Sequence, residues 1–240
     1  MSEIADRLEK IEQNICAACE RAGRTRESVK LVVVTKTVGT EEIREVIQQG
    51  YTDLGESRVQ HLKDVAEGVD EYLTINRGRS GVPAGVKWHM IGHLQRNKVK
   101  KALKYCSSIQ SVDTLRLAEE INTNAGKQGL RPDVFIQVNC SGESQKYGVP
   151  VGAAGHLAEQ IETMGNLRLV GLMTMAPLTK DDGVIRSCFA RAREVFEDIR
   201  RDGLAGSQFR HLSMGMSQDY QIAVEEGATV LRVGSAIFAG

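Results

Sequence analysis

Eight short runs of strand-forming residues alternate with helical periodicity along most of the chain. No other sequence feature narrows the possible folds as much. The runs cover residues 31–36, 51–56, 86–92, 107–113, 133–139, 167–175, 209–215 and 229–234. Between them, apolar residues recur at three- and four-residue spacings, as in Ile185, Cys188, Phe189, Ala192, Phe196 and Ile199, which marks one face of a helix. A further helix leads the chain, with Ile4, Leu8, Ile11 and Ile15 on one side. Strands alternating with helices imply a parallel sheet. Eight such units within 240 residues fit a single (β/α)8 barrel over residues 1–240 with an extra N-terminal helix. An open doubly wound sheet has the same local pattern, because periodicity does not show closure. Residues 70–84 read as an irregular excursion between the second helix and the third strand.

Composition excludes several function classes. Lys plus Arg equals Asp plus Glu at 31 each, so the global basic excess of a dedicated nucleic-acid binder is missing. No apolar run approaches the roughly 20 residues of a membrane helix, and the charged, amphipathic start MSEIADRLEK is unlike a signal peptide. Five cysteines fit reduced thiols and a cytoplasmic location. Cys16 and Cys19 form a CxxC, but without the second pair a zinc site needs. His89 and His93 lie about 13 Å apart along an extended strand and do not converge on a metal. Arg96, Lys98, Lys100, Lys101 and Lys104 read as a solvated basic helix face. Met173, Met175, Met214 and Met216 read as adaptable packing around the barrel mouth.

In a barrel, chemistry gathers at the C-terminal ends of the strands. That rule selects Lys36, Glu56, His93, Asn139, residues 173–176, Ser213 and Gly234. Lys36 follows four apolar residues and a threonine, so partial burial is expected. Desolvation would lower its pKa and favour the neutral amine, which forms Schiff bases with carbonyls. Taken alone, this stretch reads more plainly as a lysine whose head reaches water. The C-terminal segments add weight to the first reading. The stretch SMGMS, residues 213–217, and Gly234-Ser235 before a short AIF turn supply glycines, hydroxyls and free N–H groups where barrels build phosphate sites. Arg232 lies just below. In a closed barrel the last strand neighbours the first, placing Lys36 beside this cup. A Schiff-base lysine next to a phosphate cup suggests pyridoxal 5′-phosphate (PLP).

These motifs resemble the pyridoxal phosphate homeostasis proteins. The matching stretches are VVVTKTV around Lys36, GESRVQ from Gly55, WHMIGHLQRNK from Trp88, SVD at Ser111 and IQVN at Ile136. KYGV at Lys146, GLMTMAP at Gly171 and the long LSMGMSQDYQIAVEEGATVLRVGSAIF from Leu212 complete the set. The resemblance implies a barrel like the N-terminal domain of alanine racemase, with PLP on Lys36. It implies that Ser213, Gly234 and Ser235 hold the phosphate, that Arg232 approaches the pyridine nitrogen, and that Met214, Gly215, Ser57, His93 and Asn139 surround the cofactor. An arginine there disfavours a ring proton, which weakens carbanion chemistry and suits a carrier. The family pattern GENRVQE becomes GESRVQH here, with Ser57 for asparagine and His61 for glutamate. A hydroxyl replaces one hydrogen bond of the amide but not both its donor and acceptor reach.

The resulting expectation is a non-catalytic protein of intracellular PLP homeostasis that holds the cofactor and hands it to apo-enzymes. The alternatives are a PLP-dependent racemase and a lysine-dependent aldolase. A racemase needs a second proton donor on the opposite cofactor face, and none of Tyr51, Tyr72, Tyr105, Tyr147 and Tyr220 shows a fitting context. The expected assembly is a monomer, or a weak homodimer using the apolar stripe of the first helix.

Overall fold

The computed structural model describes residues 2–143 and 145–239. Strands β1 (Lys30–Val34), β2 (Asp53–Glu56), β3 (Lys87–Met90), β4 (Ser108–Val112) and β5 (Asp133–Asn139) precede a two-residue strand β6 (Val149–Pro150). Strands β7 (Arg168–Met173), β8 (His211–Ser213) and β9 (Val230–Val233) complete the set. All pairings are parallel, in the order β4-β3-β2-β1-β9-β8-β7-β5, and β4 pairs with β5 to close the ring. Closure settles the choice between barrel and open sheet. Strand β6 lies outside the ring, extending the end of β5 through Val138 and Val149.

The helices are α1 (Glu3–Arg21), α2 (Thr40–Gln48), α3 (Val59–Ile75), α4 (Val99–Ala102), α5 (Leu115–Gln128), α6 (Ala154–Glu162), α7 (Asp182–Arg201), α8 (Tyr220–Glu225) and α9 (Ser235–Phe238). Local chemistry sets several of their ends. The Thr114 hydroxyl accepts from the Leu117 N–H at the start of α5, and Gly129 ends that helix in the left-handed region at φ 64°, which a Cβ disfavours. Asp181 accepts from the N–H groups of Gly183 and Val184 at the start of α7. Helix α3 runs to Ile75, so residues 70–75 are helical rather than part of an excursion. Leu62, Val65, Ala66, Val69 and Leu73 continue one buried stripe, and only the residues beyond Ile75 are irregular. Helix α1 packs on α8 and α9. Its Leu8, Ile11 and Ile15 are buried within the chain, so this stripe is not available for a dimer.

The main hydrophobic core lies between the strands and the helices. Inside the ring, a small apolar cluster of Phe135, Val170 and Met173 shares the space with buried polar side chains, namely His89, Gln110, Gln137, Ser213 and Arg232. Barrels commonly fill this volume with branched aliphatic residues. Polar groups buried in their place need hydrogen-bond partners to offset the loss of water.

Two interior histidines set an acid limit on stability. Burial pushes the pKa of both His89 and His211 below the ordinary histidine value. In the unfolded chain they protonate as pH falls through about 6.5, while the folded chain resists. The unfolded state then binds more protons, so stability is fully present above that pH and declines below it, by up to about 1.4 kcal/mol per pH unit for a group titrating only when unfolded. The urea midpoint is expected to fall between about pH 6.5 and 5, and less steeply for His89→Gln. An equal slope in the two proteins would refute the assignment.

Candidate cofactor site

A cavity of about 420 Å³ opens at the C-terminal mouth of the ring, where the fold places function. Two adjacent strands set its chemistry. Strand β1 ends at buried Val34, and the chain passes through buried Thr35 before turning at Lys36. Beside it, β9 pairs with β1 in register from Lys30↔Val230 to Val33↔Val233 and passes through Gly234 into α9.

Lys36 lines the cavity but is exposed, in contrast to the partial burial expected of it. The residue before it fixes its position. The Thr35 N–H donates to the Gly55 carbonyl at 3.0 Å, and the Thr35 hydroxyl donates to Glu56. Glu56 is fully buried, and its other oxygen lies 2.9 Å from Nδ1 of His61. One of the two departures from the family pattern thus supplies a partner for a buried carboxylate. The other, Ser57, lines the cavity. Its carbonyl oxygen would stand 2.4 Å from a Cβ at residue 92, so Gly92 lets this loop close in.

On the neighbouring strand end, Gly234 and Ser235 line the wall. The Gly234 and Ala236 N–H groups both point to one acceptor, the hydroxyl of Ser217, at 3.3 and 3.1 Å. A Cβ at residue 234 would lie 2.6 Å from the Val34 carbonyl, so this close approach requires glycine. Two converging backbone donors and a hydroxyl suit an anionic oxygen.

Arg232 also lines the cavity and is buried. Its Nη1 donates to Ser213 Oγ at 2.6 Å and its Nη2 to the Thr174 carbonyl at 2.8 Å. Burial lowers its pKa to about 10, which leaves it cationic at neutral pH. No carboxylate contacts it among the described residues. The acid whose field reaches it is Asp219, also on the cavity wall. Burial pushes the Asp219 carboxyl up, against the Met216 N–H and Arg232, which favour its charged form. The guanidinium therefore biases the cavity toward an anionic occupant.

His93 lines the cavity and stacks on Tyr147 with ring centroids 4.1 Å apart. Four expected residues do not line it. The Ser213 hydroxyl is taken up by Gln110 and Arg232. Met214 is buried in the outer core. Gly215 adopts φ 93° beneath α8, where a Cβ would lie 2.5 Å from that of Ala223. Asn139 organises its own loop, accepting from Ser141 and the Gly142 N–H and donating to the Glu143 carbonyl.

Sequence reasoning missed Ser217, Asp219, Gln137 and Tyr147. Ser217 lay within the glycine–serine loop it identified, but nothing in the string shows which serine faces α9. Tyr147 reaches the cavity only through the fold of the loop beyond β5.

The alanine racemase N-terminal domain model matches residues 7–240. A pyridoxal phosphate homeostasis protein of Aquifex aeolicus is 36% identical over 97% of this chain and 96% of its own length. Among solved structures, a protein of Bifidobacterium adolescentis superposes with a TM-score of 0.91 at 38% identity, covering 98% of this chain and 94% of its own. PipY of Synechococcus elongatus, solved with PLP bound, superposes with a TM-score of 0.81 at 31% identity, covering 98% of this chain and 100% of its own. Beside a lysine, a backbone anion cradle and a buried arginine on one cavity, these likenesses place the chain in the pyridoxal phosphate homeostasis protein family, built on the alanine racemase N-terminal fold.

Proposed function

We propose that this protein holds PLP at the C-terminal mouth of its barrel, as a Schiff base with Lys36, and serves PLP homeostasis in the cytoplasm without substantial turnover. The observation that carries this reading is the convergence of the Lys36 side chain and the Gly234 and Ala236 N–H groups on one cavity. PLP-bound PipY, at 31% identity, supports it.

The residues fit the group. Phosphate oxygens would take over the donors now capped by Ser217, with Ser235 beside them. When bound, PLP supplies an aldehyde for the lysine and a ring that withdraws electrons once its nitrogen is protonated. Arg232 only donates hydrogen bonds, so it holds no proton acceptor toward that nitrogen and disfavours the protonated ring. Such a site retains the cofactor while giving little carbanion stabilisation. The exposure of Lys36 leaves the linkage open to incoming amines, which suits release to apo-enzymes. Five free thiols agree with a reducing compartment.

Tyr147 is the observation favouring the racemase alternative, because it brings a phenol to the cavity. Its ring, however, is stacked on His93 and 55% exposed, which leaves it poorly shielded from water as a proton donor.

Borohydride reduction of the PLP-treated protein, followed by peptide mass mapping, tests the assignment. A phosphopyridoxyl group on the Lys36 peptide is expected, and its absence would overturn the proposed anchor. No deuterium is expected at the α-carbon of any amino acid incubated in heavy water. Incorporation would favour the racemase.

A further inference from the structure

We propose that Asp53, His89, Gln110 and Ser213 form a one-way hydrogen-bonded chain through the barrel that positions Arg232. Through it, the protonation of His89 at the N-terminal mouth governs how Arg232 is presented to the cavity. The links are continuous. Arg232 Nη1 lies 2.6 Å from Ser213 Oγ, and Ser213 Oγ lies 2.7 Å from Gln110 Oε1. Gln110 Nε2 lies 3.1 Å from His89 Nδ1, and His89 Nε2 lies 2.8 Å from Asp53 Oδ1. His89, Gln110, Ser213 and Arg232 are all buried.

The chemistry of the ends fixes the direction. Arginine only donates, so Ser213 accepts from it and gives its single proton to the Gln110 carbonyl oxygen. The amide then turns its NH2 to His89, whose Nδ1 accepts. The remaining ring proton sits on Nε2 and is donated to the Asp53 carboxylate. Every member donates toward the N-terminal mouth, so each bond polarises the next. A cation at one mouth is thereby joined to a carboxylate at the other. The opposite amide orientation would leave the Ser213 proton without its acceptor, a costly state for a buried group.

His89 is the neutral link that can take up a proton as pH falls, and burial holds its pKa below the ordinary histidine value. The charged and titratable groups facing it are Asp53 on β2, Lys30 on β1, Lys87 on its own strand, Asp133 on β5 and His211 on β8. Lys30 pairs with Asp53 at 3.1 Å and Lys87 with Asp133 at 2.9 Å. Burial and the two lysines oppose a proton on His89, while Asp53 favours it. Once His89 is protonated, its Nδ1–H faces the amide NH2 of Gln110, two donors against each other. The amide relieves this by turning its Oε1 to the Nδ1–H, which points its NH2 at Ser213. Ser213 then loses its acceptor, and Arg232 loses a fixed partner on the cavity wall.

The test has one arm on the cofactor-free protein and one that rests on the PLP reading. Without cofactor, ¹⁵N NMR is expected to show His89 as the neutral Nε2–H tautomer. Gln110→Met leaves the Ser213 hydroxyl without its acceptor, so that it no longer holds a fixed position for Arg232, and is expected to speed hydrogen exchange at the guanidinium by about threefold or more. With PLP bound, the absorption band is expected to shift with the same pH midpoint as the His89 ring. In Gln110→Met, His89 still titrates but the band no longer tracks it. An Nδ1–H tautomer, unchanged Arg232 exchange in the variant, or a wild-type band indifferent to His89 overturns the proposal. Failure of the wild type to bind PLP would defeat the homeostasis reading, while the cofactor-free arm still decides the chain. If Gln110→Met does not fold, Ser213→Ala cuts the same chain beside Arg232 and is read in the same way.

Discussion

Lys36→Ala is expected to emerge from PLP treatment and borohydride reduction with no phosphopyridoxyl adduct at all. Its residual PLP binding should be weaker by about a hundredfold or more, about 2.8 kcal/mol, because only the phosphate cradle and ring contacts remain. The fold should be indifferent. Lys36 is exposed and makes no hydrogen bond or ion pair among the described residues, and such surface changes lie within about 0.5 kcal/mol. The rival amine is Lys146 on the loop beyond β5. Its Nζ is engaged by the Ala176 carbonyl at 3.0 Å and by Glu143, so its attack on an aldehyde would first cost those contacts. Equilibrium dialysis against PLP, with mass mapping of the reduced protein, separates the two. A stoichiometric adduct on Lys146 in the variant would show that the cavity rather than this lysine selects the anchor.

Much of this site could be read from the sequence because the fold ties function to strand ends. A lysine after VVVT and a Gly-Ser after the last strand needed only ring closure to become neighbours, and β1–β9 pairing supplies it. The lysine's environment was not legible. The apolar run before Lys36 suggested burial, yet the chain turns outward at once, and burial falls on Thr35 and Glu56 instead. Ser213 shows the complementary limit. Its place in a glycine–serine loop pointed to phosphate, but the strand's two-residue alternation turns its hydroxyl into the barrel, onto Gln110 and Arg232. The interior chain itself was invisible in the sequence, because His89, Gln110 and Ser213 lie on three different strands and no spacing connects them. The misjudged segment at 70–75 had the opposite cause. Its charged residues masked the continuation of the stripe through Val69 and Leu73.

The seam that carries this interior chain is also where a single methyl group should do the most damage. Gly171→Ala would place a Cβ 1.8 Å from the carbonyl oxygen of His211. The backbone fixes the Cβ position and the carbonyl is itself backbone, so no rotamer change relieves the clash, and β7 and β8 must separate. Gly171 and His211 are register partners, flanked by Arg210 N–H to the Val170 carbonyl and Thr174 N–H to the Ser213 carbonyl. Strand β8 has three residues and is held to β9 at the register pair Ser213↔Val230, with Thr229 N–H to the Leu212 carbonyl and Met214 N–H to the Val230 carbonyl on either side, so moving it from β7 also strains this second seam. The expected cost is about 3 kcal/mol, the upper range for overpacking, or about 10 °C in Tm for a domain of this size. Displacing β8 moves Ser213, and with it the partner of Arg232. PLP affinity should therefore fall together with stability, whereas an equally destabilising change on the outer core, such as Leu8→Ala in α1, should lower Tm and leave affinity nearly unchanged. Thermal melts and PLP titration of the two variants decide this. A Gly171→Ala protein with wild-type Tm would mean that β7 and β8 are not held as closely as this packing requires.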